Sequence, residues 1–419
     1  MTTAQNDNIK QANIQKLEKA QTFFDIVYSQ FKEHKAAVFG AYTILFFILV
    51  ALFAPVISVV TGLDADSQNV FNRYKPPFSK IVASQDAKES SIDGFIKNNP
   101  EEALNIQTAL ISQGLVNPLR PEDALYDWVN LEKSKAIDSI KKVNTPKQKD
   151  LIKMVSSFES FHLFGTDELG RDVMMRLVYG TQVSIGVGIL VALVSALIGL
   201  IIGSLAGYYG GFIDTLLMRV TDSLLSLPIL PVLVVIAAID LKKVLGGLVE
   251  FSYKFLGSAI GGMTQSMVDN IFSGGKESIY KLVFILCLFS WMTVARLIRG
   301  SILTLREREF ILAAKTLGAT DITIMLRHMF PNVMAPLLVS VTLGVGESIL
   351  FEAALSYLGL GVQPPTPSWG NMLFNAQELI YQAPFLAILP GVLIFLVVVS
   401  FNFVGDGLQD AVDPKTVRR

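Results

Sequence analysis

Charge is what this 419-residue chain has least of. Asp, Glu, Lys and Arg make up 17% of it, against about 25% in soluble globular chains. The deficit is uneven, because the charges gather between long uncharged blocks, and that pattern indicates a polytopic membrane protein. A formal net charge of −1 excludes the strong positive field that nucleic-acid binding draws on. With one cysteine, Cys287, no internal disulfide can form. Three scattered histidines, His34, His162 and His328, define no metal-ligand set. No GxxxxGK[ST] loop occurs, which excludes nucleotide binding by that route.

What is present is a series of uncharged runs, and a bilayer-spanning helix needs roughly 20 such residues. The runs are Ala36–Leu63, Leu177–Ile213, Ser223–Ile239 and Leu282–Ala295. The last extends to Ile298 if Arg296 and Arg299 snorkel. A fifth span starts after Asn332 and carries Glu347 and Glu352, and a sixth covers about Ala383–Val404. The fold class expected is all-α, with six transmembrane helices. Lys32, Lys35, Arg299, Arg306, Arg308, Lys315, Arg327, Lys415, Arg418 and Arg419 then fall on one side, and Ser356–Tyr381 has no basic residue. By the positive-inside rule both termini are cytoplasmic, although Lys242 and Lys243 run against it. The polar arm before the first span is too long and mixed for a signal peptide. Its Ile14, Leu17, Phe24, Tyr28 and Phe31 have the spacing of an amphipathic helix.

The organisation expected is an arm over 1–35, a first span over 36–63 and an extracytoplasmic loop over 64–161. A permease core over 162–405 and a cytoplasmic tail over 406–419 follow. Within the loop, Asn99-Pro100-Glu101-Glu102, Pro121-Glu122-Asp123 and Thr145-Pro146 each read as a helix start, and Gly114 as a stop. Leu125, Trp128, Val129 and Leu131 predict a sticky face on this small helical insert, between Lys80 and Glu159. In the second span, Ser195, Gly199, Gly203 and Gly207 recur every four residues, which lets another helix approach, from this chain or from a second subunit.

Between the fourth and fifth spans the chain turns amphipathic. Over Arg306–Leu317, apolar Phe310, Ile311, Ala314 and Leu317 fall on one side of a short helix, with Glu309 among its residues, and Gly318 suits a left-handed C′ position. Thr320 or Asp321 can cap a second helix, which Pro331 stops or kinks. A rigid knob results. Packing on lipid headgroups and docking of a partner are both open on these residues alone.

The same stretch resembles the coupling motif of ABC-importer permeases. Leu312-Ala313-Ala314 is followed after three residues by Gly318, and after nine more by His328-Met329-Phe330-Pro331. Leu312 replaces the family's acid and Phe330 its leucine. His162-Leu163-Phe164-Gly165-Thr166-Asp167-Glu168-Leu169-Gly170-Arg171-Asp172-Val173 resembles a signature of the dipeptide/oligopeptide/nickel branch. Leu358–Gly370 and Gly405–Pro414 are similar to its outer loop and C-terminal motif. The resemblance, to the C-type permease of the pair, covers the first span and nearly everything after Phe161. The insert falls outside it, and Pro76-Pro77-Phe78-Ser79 and His162 look like two halves of one family stretch, prised apart.

The resemblance implies a type I ABC-importer permease fold in the bacterial cytoplasmic membrane. It also implies coupling of Glu309, Leu312, Ala313, Ala314, Leu317, Gly318, Asp321, His328 and Pro331 to an ATPase. The partners implied are a homologous second permease, two ABC ATPase subunits, an extracytoplasmic solute-binding protein and membrane lipid. ATP and Mg would sit on the ATPases, so no cofactor and no catalysis are expected here. Gly165, Thr166, Asp167, Gly170, Arg171 and Asp172 form the extracytoplasmic motif. Within it Asp167 and Arg171 read as a local pair worth a few tenths of a kcal/mol, with capping or binding as the role. Glu347 and Glu352 are candidate pathway residues. Five positions put them about 140° apart on a helix. They also motivate a second reading, an ion-coupled secondary transporter. A third reading is a membrane-anchored interaction protein whose purpose lies in the insert.

Overall fold

The computed structural model describes residues 23–69, 72–82, 85–114, 116, 120–239, 266 and 277–412. Expectations for Ile14 and Leu17, for Lys242 and Lys243 and for residues 413–419 lie outside the described residues.

Helix α1 (Phe23–Glu33) leads into α2 (Lys35–Leu52), whose uncharged sequence then breaks before α3 (Ala54–Thr61). Pro55 causes the break, since it has no N–H and its ring crowds the carbonyl four residues back. That carbonyl, of Ala51, instead accepts from Gln182 Nε2 at 2.5 Å. The single expected span over 36–63 is therefore two helical pieces.

A strand, β1 (Ser79–Val82), opens the insert. Helices α4 (Gln85–Asn98), α5 (Pro100–Ser112), α6 (Ala124–Val129), α7 (Lys133–Lys141) and α8 (Gln148–Phe158) follow, and β2 (Glu159–His162) closes it. The strands pair antiparallel with Ser79 opposite His162, the two residues the sequence marked as separated halves. This ribbon corrects the all-α expectation. The face expected to be sticky is a core: Leu125, Trp128 and Val129 are buried with Ile92, Ile106, Leu110, Ile140 and Leu151. The Trp128 indole donates to Ala136 O at 3.0 Å and Ser139 Oγ at 2.8 Å, so it presents nothing to a partner.

The remaining helices are α9 (Val173–Tyr209), α10 (Gly211–Leu225), α11 (Ile229–Ala238) and α12 (Glu277–Arg306). They continue with α13 (Glu309–Thr316), α14 (Asp321–Tyr357), α15 (Trp369–Ala376) and α16 (Phe385–Val412). Among the described residues, five helices, α2, α9, α12, α14 and α16, are long and apolar enough to cross a membrane. A sixth span exists if α10 and α11, bent by 86° at their junction, count as one. The second uncharged run ends at Tyr209 rather than Ile213, because Gly210 turns the backbone at φ +67° and starts α10. Helix α16 carries on through residues 406–412, where a tail was expected.

The described residues divide into two compact units. One draws on Met1–Phe47, Ile185–Leu355 and Leu393–Arg419, the other on Ile48–Ser184 and Ser356–Val392. In the first, the glycine ridge of α9 packs on α12. A Cβ at Gly199 would lie 2.6 Å from Val294 Cβ, and one at Gly207 2.9 Å from Ile302 Cβ. Packing within the chain accounts for that ridge. In the second, Trp369 is buried, with its backbone N–H on Ser184 Oγ (3.2 Å) and its indole on the Leu177 carbonyl (3.2 Å). Ser368 caps α15 by accepting from Asn371 N.

Candidate functional site

The knob is built in the first unit. Helix α13 begins at Glu309, whose carboxylate in the first turn favours the helix dipole. It ends in two bonds, Gly318 N–H to Lys315 O (3.0 Å) and Ala319 N–H to Ala314 O (3.1 Å). This pair is the Schellman arrangement, which needs a left-handed residue at C′. Gly318 supplies it at φ +84°. Thr320, not Asp321, caps the next helix, accepting from Thr323 N. Asp321 instead accepts from the Tyr208 hydroxyl at 2.6 Å, and Arg306 Nη1 donates to the Tyr208 carbonyl at 3.3 Å.

Helix α14 does not stop at Pro331. Ile324–Met329 form a π turn, in which the Phe330 N–H bonds to Met325 O, five residues back. The wider turn gives the proline ring the room that an α turn denies it. The knob thus runs without interruption into a candidate span.

Burial divides the knob differently from the apolar periodicity. Ile311, Ile324 and Met329 are buried against Val294, Ile298, Ile302 and Val333, and Ala314 packs beside them. Phe310 and Leu317, expected on the same side as Ile311, face outward with Leu312, Ile322 and Leu326. Leu317 is 87% exposed. A helix–turn–helix anchored by its inner residues therefore displays these large apolar side chains, with Phe330 beside them. Ala313 is exposed among them, His328 is half-buried and Pro331 is exposed.

The second unit holds the other motif as a buried knot. Asp167 Oδ1 accepts from Leu169 N and Arg171 N, both at 2.9 Å, and Oδ2 from Arg171 Nε at 2.7 Å. Arg176 Nε lies 3.4 Å from the same oxygen, and Arg171 Nη2 reaches Glu168 at 2.9 Å. Thr166 donates to the Asn72 carbonyl and accepts from Lys75 N at 2.9 Å. Asp172 caps α9 through Met175 N (2.7 Å) and holds His162 Nδ1 at 2.6 Å. Gly165 and Gly170 are left-handed, and a Cβ on Gly165 would press on the Lys75–Pro76 backbone. Burial, then the Asp167 charge, pushes the Glu168 carboxyl above its ordinary value. Asp167 and Arg171 are thus no surface pair worth tenths of a kcal/mol, since both are buried and shared with backbone and Arg176. The arrangement fastens the entry of α9.

The two acids of α14 separate. Glu352 is fully buried, whereas Glu347 is exposed. Sequence reasoning missed Tyr208 and Arg306 as braces of the knob. The signal available was the aromatic pair Tyr208-Tyr209 placed before the Gly210-Gly211 break.

Residues 199–418 match the family described as binding-protein-dependent transport system inner membrane component. Residues 22–77 match the N-terminal TM domain of oligopeptide transport permease C. The chain is 38% identical over 254 residues to the glutathione transport system permease protein GsiD of Escherichia coli O6:K15:H31. It is similar to that of Shigella boydii serotype 4 to the same extent. In each case the match covers 61% of this chain and 72% of the relative.

Proposed function

Because the chain belongs to the family of binding-protein-dependent transport system inner membrane components, we propose that it carries peptides or peptide-like solutes. Membership makes it the non-catalytic, multi-pass permease subunit of an ATP-driven importer in the inner membrane, and displaces the ion-coupled secondary transporter. Peptide cargo is supported by the oligopeptide permease match at the N-terminal end and by relatives named for glutathione, itself a tripeptide.

Six spans cross with both termini in the cytoplasm, the bent α10–α11 pair counting as one. The chain pairs with a second permease, two ATPases that hold ATP and Mg, and a solute-binding protein outside. The insert projects to that outer side and braces one of those neighbours. In the cytoplasm, the knob from Glu309 to Pro331 seats in the ATPase. Closure of the ATPases on ATP moves the knob, and α14 transmits that movement to the pathway as a population shift between inward- and outward-facing states.

One observation carries this reading: Phe310, Leu312, Leu317, Ile322 and Leu326 are exposed on a turn whose inner side is locked to α12. Exposed apolar clusters of this kind mark interaction sites. Purification of the tagged chain in mild detergent should bring a second permease and an ATPase with it. Leu317→Cys should crosslink to that ATPase. A chain that purifies alone and moves solute without nucleotide would refute the proposal.

A further inference from the structure

We infer that the Glu347 carboxylate lines the water-filled translocation pathway and binds the cationic group of the passing solute, an inference that rests on the permease reading above. Glu347 lies ten residues before Tyr357, the end of α14. At 1.5 Å per residue that is about 15 Å along the helix, half of a hydrocarbon core about 30 Å thick. The acid therefore sits near mid-membrane.

Its surroundings say which way it faces. Its neighbours Val345, Gly346, Ser348 and Ile349 are buried. Ile349 Cγ1 would lie 2.7 Å from a Cβ on Gly188 of α9, and Gly346 faces Asn402 of α16. Gly346 and Ile349 are three residues, about 60°, apart on α14, so those two helices cover one side of it. Glu347 stands out from them, on a face shared with Leu350, which is also exposed. Among the described residues none offers it a hydrogen bond or an ion pair.

A carboxyl group in that position has three possible environments. Against lipid tails it is expensive in either protonation state, which is why intramembrane acids face bundle interiors or water. Against a second permease it would need a buried cation from that chain. Against an aqueous passage it needs only water, and it then offers a fixed negative charge to whatever passes. A peptide-like solute carries an ammonium group, the complement of that charge. Glu352, buried within the chain, has no such access. Because α14 also carries the knob, the helix that receives the ATPase stroke is the one that positions this charge.

Two measurements on the reconstituted full complex test this. In a Cys287→Ser background, Glu347→Cys should react with a charged, water-soluble methanethiosulfonate reagent. Absence of reaction in every nucleotide state would place the residue against lipid or protein and overturn the inference. Uptake of a lysine-containing tripeptide relative to an aspartate-containing one should fall about tenfold from wild type to Glu347→Lys, with Glu347→Gln between them. An unchanged ratio in an assembled, transporting complex overturns the solute contact. If the wild-type complex moves neither tripeptide, the peptide reading fails, while the thiol result still decides where Glu347 faces.

Discussion

Tyr208 and Asp321 are joined by a hydrogen bond of 2.6 Å that ties the last turn of α9 to the first turn of α14. Among the described residues no other side-chain carboxylate of the knob links these helices, and the bond sits at the corner where force would enter. Tyr208→Phe should cost about 1 kcal/mol of local stability. Uptake per ATP hydrolysed by the reconstituted complex should fall severalfold while the complex remains assembled. Unchanged coupling would show that the Ile311–Ile324 core alone holds the knob.

Gly318 offers a cleaner test of backbone geometry. No atom lies within 4 Å of a Cβ added there, so substitution meets only the left-handed conformation at φ +84°. That conformation costs ordinary residues about 1–2 kcal/mol and asparagine less. Coupled transport should therefore decline in the order Gly318→Asn, Gly318→Ala, Gly318→Val, with Val the worst because a β-branched residue fits that region poorly. Equal behaviour of all three would mean that the turn unwinds without consequence.

Asp167 is the hub of the buried knot, and its removal takes the carboxylate from beside Arg176 and leaves Arg171 its pair with Glu168. Asp167→Ala should cost about 3–5 kcal/mol, seen as loss of folded permease in detergent thermal-shift measurements. Asp167→Asn should keep the two backbone N–H bonds and lose less. A thermally normal Asp167→Ala protein would show the knot to be redundant.

The insert is clipped to the loop after α3 by Lys153 and Asp64, 2.6 Å apart. Burial works to raise the Asp64 pKa, but the Lys153 bond and the bonds from Asp66 N and Ser67 outweigh it and hold the carboxyl below its ordinary value. A depressed carboxylate contributes stability above its unfolded pKa, about 3.9, and that contribution disappears as pH falls through the folded value. Hydrogen exchange in residues 148–158 should thus be insensitive to pH through neutrality, once intrinsic rates are corrected, and rise below about pH 4. Lys153→Met should reproduce the acid behaviour at pH 7.

Much of this was legible in the sequence where a residue type fixes backbone geometry by itself. Gly318 sits at the C′ position its spacing predicts, and Pro100 opens a helix just after Asn99. What stayed hidden depends on partners remote in the chain. Apolar spacing grouped Phe310 and Leu317 with Ile311, because periodicity cannot tell a face that meets α12 from one that meets nothing. Asp167 and Arg171 read as a weak local pair because their burial and the approach of Arg176 are not written in their spacing. Pro331 read as a stop or a kink because the widened turn ahead of it has no composition signature. Pro55 was overlooked inside an uncharged run, where counting charges takes no account of a missing N–H.

The pairing of Ser79 with His162 has a consequence for the economy of the chain. A long excursion ordinarily imposes a conformational-entropy penalty on whatever it joins, growing with the logarithm of its length. Here the ribbon brings the two ends together as a tight turn would, so the flanking backbone does not register how much polypeptide hangs beyond it. The junction is a socket: other domains, or none, could occupy it without altering the course of the helices on either side.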